Sequence, residues 1–273
     1  SLDDKGEPPI VATLMRRSRA WVAACVAAAR LGVPLLALSG DLGSEDEAQR
    51  TREAMEEHRP RVLLLDADLR HSAAAAPALT ADGTTIVDPE ALLAGAAVEE
   101  AVATRSRSAD DVLFLVYTGG TTSASKCVAV THRMALHELV VYPRISPLRC
   151  TDRVLHQTSA YWGATSLGIF DVAWAVGACL VLAGGGGSPA EVAETVKRHR
   201  ITVAGLVPSV LEALEEEPCR SLRLVFTWGE ALAPETASRW AARVALMDLL
   251  IASEYWLILS ADHSSGGRAA GFR

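Results

Sequence analysis

The chain has 273 residues, half of them hydrophobic and 22% charged, with a formal net charge of -7 and a pI near 5.5. Those proportions suit a globular α/β protein with a sizeable core and exclude a disordered tail. The acidic balance argues against nucleic-acid partners and against broad attachment to anionic membranes, so positive charge can act only locally.

Other coarse signals agree. Cys25, Cys127, Cys150, Cys179 and Cys219 are scattered, odd in number and without C-x-x-C spacing, which reads as a reducing, cytoplasmic compartment and no structural metal. The apolar runs at 20–29 and 172–183 are shorter than the ~20 residues that cross a bilayer, so no membrane span is expected. The acidic amino end, Ser1 to Pro9, lacks an initiator methionine and a basic signal-like start, and suggests a chain that begins inside a longer protein.

In chain order, Ala20–Leu31 reads as a helix closed by Gly32 and followed by a strand at Leu35–Leu38. Ser39–Glu47 has the composition of a linker. Strands are expected at Val62–Asp66 and Thr84–Val87, a second linker and possible subdomain boundary at Glu99–Asp111, and then a strand at Val112–Tyr117. Further strands fall at Arg153–Gln157, Ala178–Leu182, Ile201–Leu206, Leu222–Thr227 and Trp256–Ser260. Several are continuously apolar, as parallel strands buried on both faces should be. Gly184–Gly187 is a flexible turn. Ser188 is a natural N-cap with Pro189 in the first turn of a helix to His199, and Pro208 opens another reaching Glu217. The pattern predicts an α/β fold with parallel sheets covered by helices and no internal repeat.

The most informative stretch follows the Val112–Tyr117 strand: Thr118, Gly119, Gly120, Thr121, Thr122, Ser123, Ala124, Ser125 and Lys126. Glycines allow backbone N–H groups to approach an anion, hydroxyls add donors without fixed charge, and one lysine supplies a mobile cation. Such a loop suits a polyphosphate, whose chemistry is largely positioning and charge stabilisation. A Walker A loop is excluded, because Ser125 and Cys127 flank the lysine where that motif needs glycine and a hydroxyl residue. Ser123 to Lys126 also spells S-x-x-K, the nucleophile motif of a serine acyl-transferring enzyme, without its S-D-N and K-T-G companions.

Taken from Tyr117 to Val128 and on through Thr131-His132-Arg133, the stretch closely resembles the phosphate loop of the adenylate-forming (AMP-binding) superfamily, Y-T-S-G-T-T-G-x-P-K-G-V with a later T-H. That superfamily includes acyl-CoA synthetases and nonribosomal peptide synthetase adenylation domains. Gly119, Ser123, Ser125 and Cys127 depart from its serine, glycine, proline and glycine. Further resemblances follow in order: Val207-Pro208-Ser209 to V-P-S, Gly229-Glu230-Ala231 to the G-E-A turn beside adenine, and Leu250 to Glu254 to Y-G-x-[TS]-E. In the last segment Leu250 replaces the stacking tyrosine and Ile251 the glycine. Read in isolation, Glu254 is a solvated glutamate near a strand end; its place in this ordered series gives it another role.

The resemblance implies ATP-dependent activation of a carboxylic acid as an acyl-adenylate, followed by capture on a thiol of coenzyme A or a phosphopantetheinyl arm. It puts Thr118, Thr121, Thr122 and Lys126 on the β- and γ-phosphates, with Gly119, Gly120 and Ser123 completing the cradle. Ser253 and Glu254 fall at the α-phosphate, Glu254 with Mg2+. Lys126 and Glu254 are the candidate catalytic residues. The acid would lie against His156, Tyr161, Trp162 and Gly163. No acidic residue falls between His156 and Phe170, where amino-acid-activating members carry an F-D pair, which favours an aliphatic, aryl or keto acid. His132 and His137 are five apart and do not form a zinc pair. The resemblance also implies a core truncated before the ribose aspartate, hinge and carboxy-terminal lid, with a carrier-protein domain as possible partner. Asp262 with Gly266-Gly267-Arg268 does not match the ribose motif. A non-catalytic relative that keeps the fold as a binding module stands as a second reading.

Overall fold

The computed structural model describes residues 8–38, 45–72, 74–95, 108–118, 126–163, 168–184 and 187–264. The chain divides into two compact units: Ser1–Arg133 with Ser159–Gly163, and Met134–Thr158 with Ala164–Arg273.

The first unit is built on a sheet of six strands among the described residues: β1 (Val11–Leu14), β2 (Leu35–Ala37), β3 (Val62–Leu65), β4 (Thr85–Val87), β5 (Val112–Thr118) and β6 (Lys126–Thr131). Their order is β4-β3-β1-β2-β5-β6, parallel except for the antiparallel β5–β6 edge. Helices α1 (Arg19–Leu31), α2 (Glu45–His58), α3 (Ala75–Leu79) and α4 (Pro89–Gly95) connect the strands. Ser18 caps α1 by accepting from Trp21 N–H, and Gly32 closes it in the left-handed region. Ala12, Leu14, Leu36, Leu63 and Leu65 pack with Ala54 and Met55 of α2 and Ala75 and Ala78 of α3 into one core. The expected linker at Ser39–Glu47 ends earlier than read, because α2 begins at Glu45; residues 39–44 lie outside the described set.

The second unit repeats the plan with β7 (Arg153–His156), β8 (Cys179–Leu182), β9 (Val203–Leu206), β10 (Leu224–Thr227), β11 (Ala245–Ala252) and β12 (Trp256–Asp262). The order is β12-β11-β10-β9-β7-β8, again parallel with one antiparallel edge pair, β11–β12. Both sheets are therefore mixed. Successive residues of a strand point to opposite faces. Leu155, Ala204, Val225 and Leu246 join one core with α7 (Pro189–His199), α8 (Pro208–Ala213) and α9 (Pro234–Ala241). Val154, Val203, Leu224 and Met247 join the other with α5 (His132–Ile145) and α6 (Gly168–Trp174). Both faces are covered, which is why these strands are apolar without alternation.

The capping box at Ser188 and Glu191 forms as read, with Pro189 in the first turn of α7. Helix α8 stops at Ala213, short of the expected Glu217, where Leu214 turns to an extended conformation. A single buried ion pair ties strands and loops together: Asp152 accepts from the Arg223 guanidinium, from Thr202 Oγ1 at 2.7 Å and from Arg149 N–H at 2.7 Å.

Candidate nucleotide site

The phosphate-loop stretch sits in an antiparallel hairpin. Strand β5 carries the apolar run Val112 to Val116 through the sheet, while β6 starts at Lys126 and runs back to Thr131, with Thr118 opposite Lys126 and Tyr117 opposite Cys127. Lys126 is exposed, and Thr118 Oγ1 donates to the Lys126 carbonyl at 3.5 Å. The Thr118 hydroxyl and the start of β6 at Lys126 thus face each other at the loop end of the hairpin. Gly119, Gly120, Thr121, Thr122 and Ser123 lie outside the described residues. Lys126 opens strand β6, while Ser123, its partner in the S-x-x-K spelling, lies outside the described residues.

Both ends of the hairpin are tied down. At its open end, away from the loop, His132 N–H donates to Asp111 O at 3.1 Å, and the Arg133 guanidinium grips Asp110 with bonds of 2.7 and 3.0 Å. That contact holds the Arg133 pKa up and the Asp110 carboxyl below its ordinary range. Near the loop end, Tyr117 donates to Glu57 Oε2 at 2.8 Å, and His58 Nε2 lies 3.0 Å from the phenol oxygen.

In the second unit, two candidate segments meet at the carboxyl ends of neighbouring strands. Strand β9 leads into Val207-Pro208-Ser209 and β10 into Trp228-Gly229-Glu230-Ala231. The Glu230 carboxylate accepts from Ser209 N–H at 3.0 Å and from Ser209 Oγ at 3.1 Å. A carboxylate at a helix's first turn satisfies amides that have no intrahelical partner. Gly229 adopts φ 86, which glycine tolerates best, and this turns Glu230 back toward α8. Gly229, Glu230 and Ala231 are all exposed. Beneath them the Trp228 indole lies on Gly205, where a Cβ would stand 1.9 Å from Trp228 Cη2. Carboxyl ends of parallel strands are where ligands of open α/β sheets collect.

Ser253 and Glu254 occupy the turn between β11 and β12, with Glu254 exposed at its tip. Leu250 is also exposed, while Ile251 points inward, its Cδ1 3.8 Å from where a Gly168 Cβ would sit. Among the described residues no group of three or more His, Cys, Asp or Glu is placed to hold a metal. A lone exposed carboxylate fits Mg2+, which keeps waters and borrows phosphate oxygens.

The acid-pocket candidates separate. Tyr161, Trp162 and Gly163 belong to the first unit, where Gly163 packs on Val116 so closely that a Cβ would stand 2.7 Å from Val116 Cγ2. Trp162 is half-exposed and meets Tyr161 edge to face at 6.0 Å. His156 belongs to the second unit, fully buried at the end of β7 with its ring 5.3 Å from Phe170.

Sequence reasoning missed a second cluster of polar groups. Glu138 on α5 is fully buried; Oε1 accepts from Leu257 N–H at 2.9 Å, while Oε2 faces Gly168 and has no hydrogen-bond partner among the described residues. Burial pushes the Glu138 carboxyl up to about 8, against smaller opposing contributions from Leu257 and Tyr142. Asp171, also buried, is driven well above its ordinary range by desolvation and then by the Glu138 charge. The only sequence signal was negative, a glutamate on the apolar face of an amphipathic helix.

Comparison with known proteins gives the class. Residues 4–257 match the family model described as AMP-binding enzyme, and the chain belongs to that family. It is 31% identical over 147 residues to apicidin F synthase of Gibberella fujikuroi, covering 53% of this chain and 3% of that protein. It is 32% identical over 161 residues to tyrocidine synthase 3 of Brevibacillus parabrevis, covering 56% and 2%. The chain thus spans a few per cent of the length of these curated relatives. In fold it matches ATP-bound MatB from Rhodopseudomonas palustris with a TM-score of 0.79 at 21% identity, covering 97% of this chain and 53% of MatB. The AMPPNP-bound form of the nonribosomal peptide synthetase FmoA3 gives 0.78 at 21% identity, covering 95% and 28%. No described helix is long and apolar enough to cross a membrane.

Proposed function

We propose that the chain is part of an adenylation domain that uses ATP to activate a carboxylic acid as its acyl-adenylate, which then passes to a thiol of coenzyme A or a carrier-borne phosphopantetheine. The observation that carries this reading is the β5–β6 hairpin, which pairs Thr118 with an exposed Lys126 at the mouth of a glycine and hydroxyl loop, in a chain of the AMP-binding family.

Thr118 and Lys126 hold the outer phosphates, and the lysine offsets the charge that gathers on departing pyrophosphate. Gly119, Gly120, Thr121, Thr122 and Ser123 line the same loop. Gly229, Glu230 and Ala231 take the adenine side; the Glu230–Ser209 bonds fix that turn before a ligand arrives, so less ordering is needed on binding. Ser253 serves the α-phosphate, and Glu254 holds Mg2+, which neutralises phosphate charge when bound. His156, Tyr161, Trp162 and Gly163 are assigned to the acid. Support for a thiol acceptor on a carrier comes from the synthetase relatives, and a cytoplasmic setting suits the five free cysteines.

The test is ATP–pyrophosphate exchange with a panel of carboxylic acids, run on the full-length polypeptide that contains this chain beside its Lys126→Ala variant. Exchange that needs one acid and drops at least a hundredfold in the variant supports the reading, since charged groups on a reacting phosphate are commonly worth about that much. Nucleotide binding without exchange for any acid would instead establish the non-catalytic module.

A further inference from the structure

We infer that Glu57 and His58 clamp Tyr117 and thereby set the mouth of the phosphate loop, which makes them positioning residues for the triphosphate; the inference rests on the nucleotide reading above.

The contacts form a closed set. Tyr117 Oη donates to Glu57 Oε2 at 2.8 Å, His58 Nε2 sits 3.0 Å from the same phenol oxygen, and His58 Nε2 to Glu57 Oε2 is 3.7 Å. A phenol has one proton. With that proton on Glu57, the His58 ring presents its own N–H at Nε2, so all three groups have assigned roles. The His58 and Tyr117 rings also meet edge to face at 6.0 Å. Cys127 stands across the ladder from Tyr117.

The surroundings keep the set in its hydrogen-bonding form. Desolvation holds His58 below its usual value and so neutral, with Glu57 opposing in part. Desolvation and then the Glu57 bond push the Tyr117 phenol far up, so it keeps its proton. Cys127 is raised by desolvation and by the Glu57 charge, so it is a thiol and a poor nucleophile.

Its position gives the clamp a purpose. Glu57 and His58 are the last two residues of α2, whereas Tyr117 and Cys127 are the ladder pair directly before Thr118 and Lys126. Tethering Tyr117 to α2 therefore fixes the twist and height of the pair that faces the phosphates. The loop carries Ser123, Ser125 and Cys127 where the resembling family has glycine, proline and glycine.

The experiment measures MgATP and adenosine affinity by calorimetry, with melting temperatures, for the wild-type chain, Tyr117→Phe, Glu57→Gln, Cys127→Ser and Lys126→Ala. Tyr117→Phe should weaken ATP about five- to tenfold, the loss of one or two hydrogen bonds, and leave adenosine unchanged. Glu57→Gln, on an exposed side chain that need not disturb folding, should follow it in part, and Cys127→Ser should retain the affinity. The clamp is overturned if ATP and adenosine weaken together, or if Lys126→Ala lowers ATP affinity while Tyr117→Phe and Glu57→Gln do not. A wild-type chain that binds neither ligand overturns the nucleotide reading and the clamp with it.

Discussion

The two units each contain a tyrosine beside a carboxylate, with opposite electrostatic outcomes. Tyr117 and Glu57 sit at the edge of the first sheet, where Glu57 is largely exposed and the phenol is bracketed by His58. Tyr142, Glu138 and Asp171 lie wholly inside the second, and one oxygen of each acid lacks a partner among the described residues. Glu57 orients its phenol at the surface, whereas burial makes Glu138 hold its proton to about pH 8. Asp152 shows that burial alone does not decide this. It is 2% exposed, yet Arg223, Thr202 and Arg149 outweigh desolvation and keep its carboxyl below the ordinary range.

The largest effect should come from breaking that paired reference. Asp152→Ala removes the carboxylate from Arg223, Thr202 and Arg149, leaving the guanidinium only its bond to Pro147 O, and should cost about 3 kcal/mol, the lower end for a buried ion pair because Arg223 keeps some solvent contact. Urea unfolding at pH 7 measures it; a loss under about 1 kcal/mol would mean the network is replaceable by water.

Next is the pH dependence of the unpaired cluster. Glu138 binds a proton more tightly folded than unfolded, so stability is highest at low pH and falls as pH rises from about 4.5 to about 8. Asp171 adds in the same direction. Asp152, with a depressed value, acts oppositely: its stabilisation is present above the ordinary 3.8 and disappears as pH falls further. Glu138→Gln should be near neutral at pH 5 and more stable than wild type by roughly 1–3 kcal/mol at pH 8. Parallel wild-type and variant curves across that window would show that Glu138 is ionised without penalty.

A smaller change tests the surface cluster. Cys127→Gly, which introduces the residue of the family pattern, should weaken MgATP no more than about threefold, because the phenol keeps its bonds to Glu57 and His58. An affinity loss as large as that of Tyr117→Phe would make Cys127 the main anchor.

The contrast also explains what the sequence made legible. Strands β7, β9 and β10 announce themselves because both faces of their sheet are covered, β3 by its unbroken run Val62 to Leu65, and α1 and α7 are bracketed by Ser18, Gly32 and Ser188. Strand β1 escaped notice because it is four residues between Pro8-Pro9 and the polar Arg16 to Ser18. Strand β6 was hidden inside the phosphate-loop motif, and Asp248, bonded to Thr227 at 2.7 Å, interrupts the apolar run of β11. Helix α2 went unread because it is rich in charge, and among its described side chains only Thr51, Ala54 and Met55 are buried. The candidate segments could be found one by one, but not their partners. Glu230 with Ser209, and Tyr117 with Glu57, join positions 21 and 60 residues apart that only the sheet order and helix packing bring together.

The central claim is that the β5–β6 hairpin holds the phosphates of a nucleotide, and calorimetric titration of MgATP into the wild-type and Lys126→Ala chains tests it most directly. Saturable binding that weakens tenfold or more in the variant, about 1.4 kcal/mol, is the expected result. Equal affinity in both chains would contradict it.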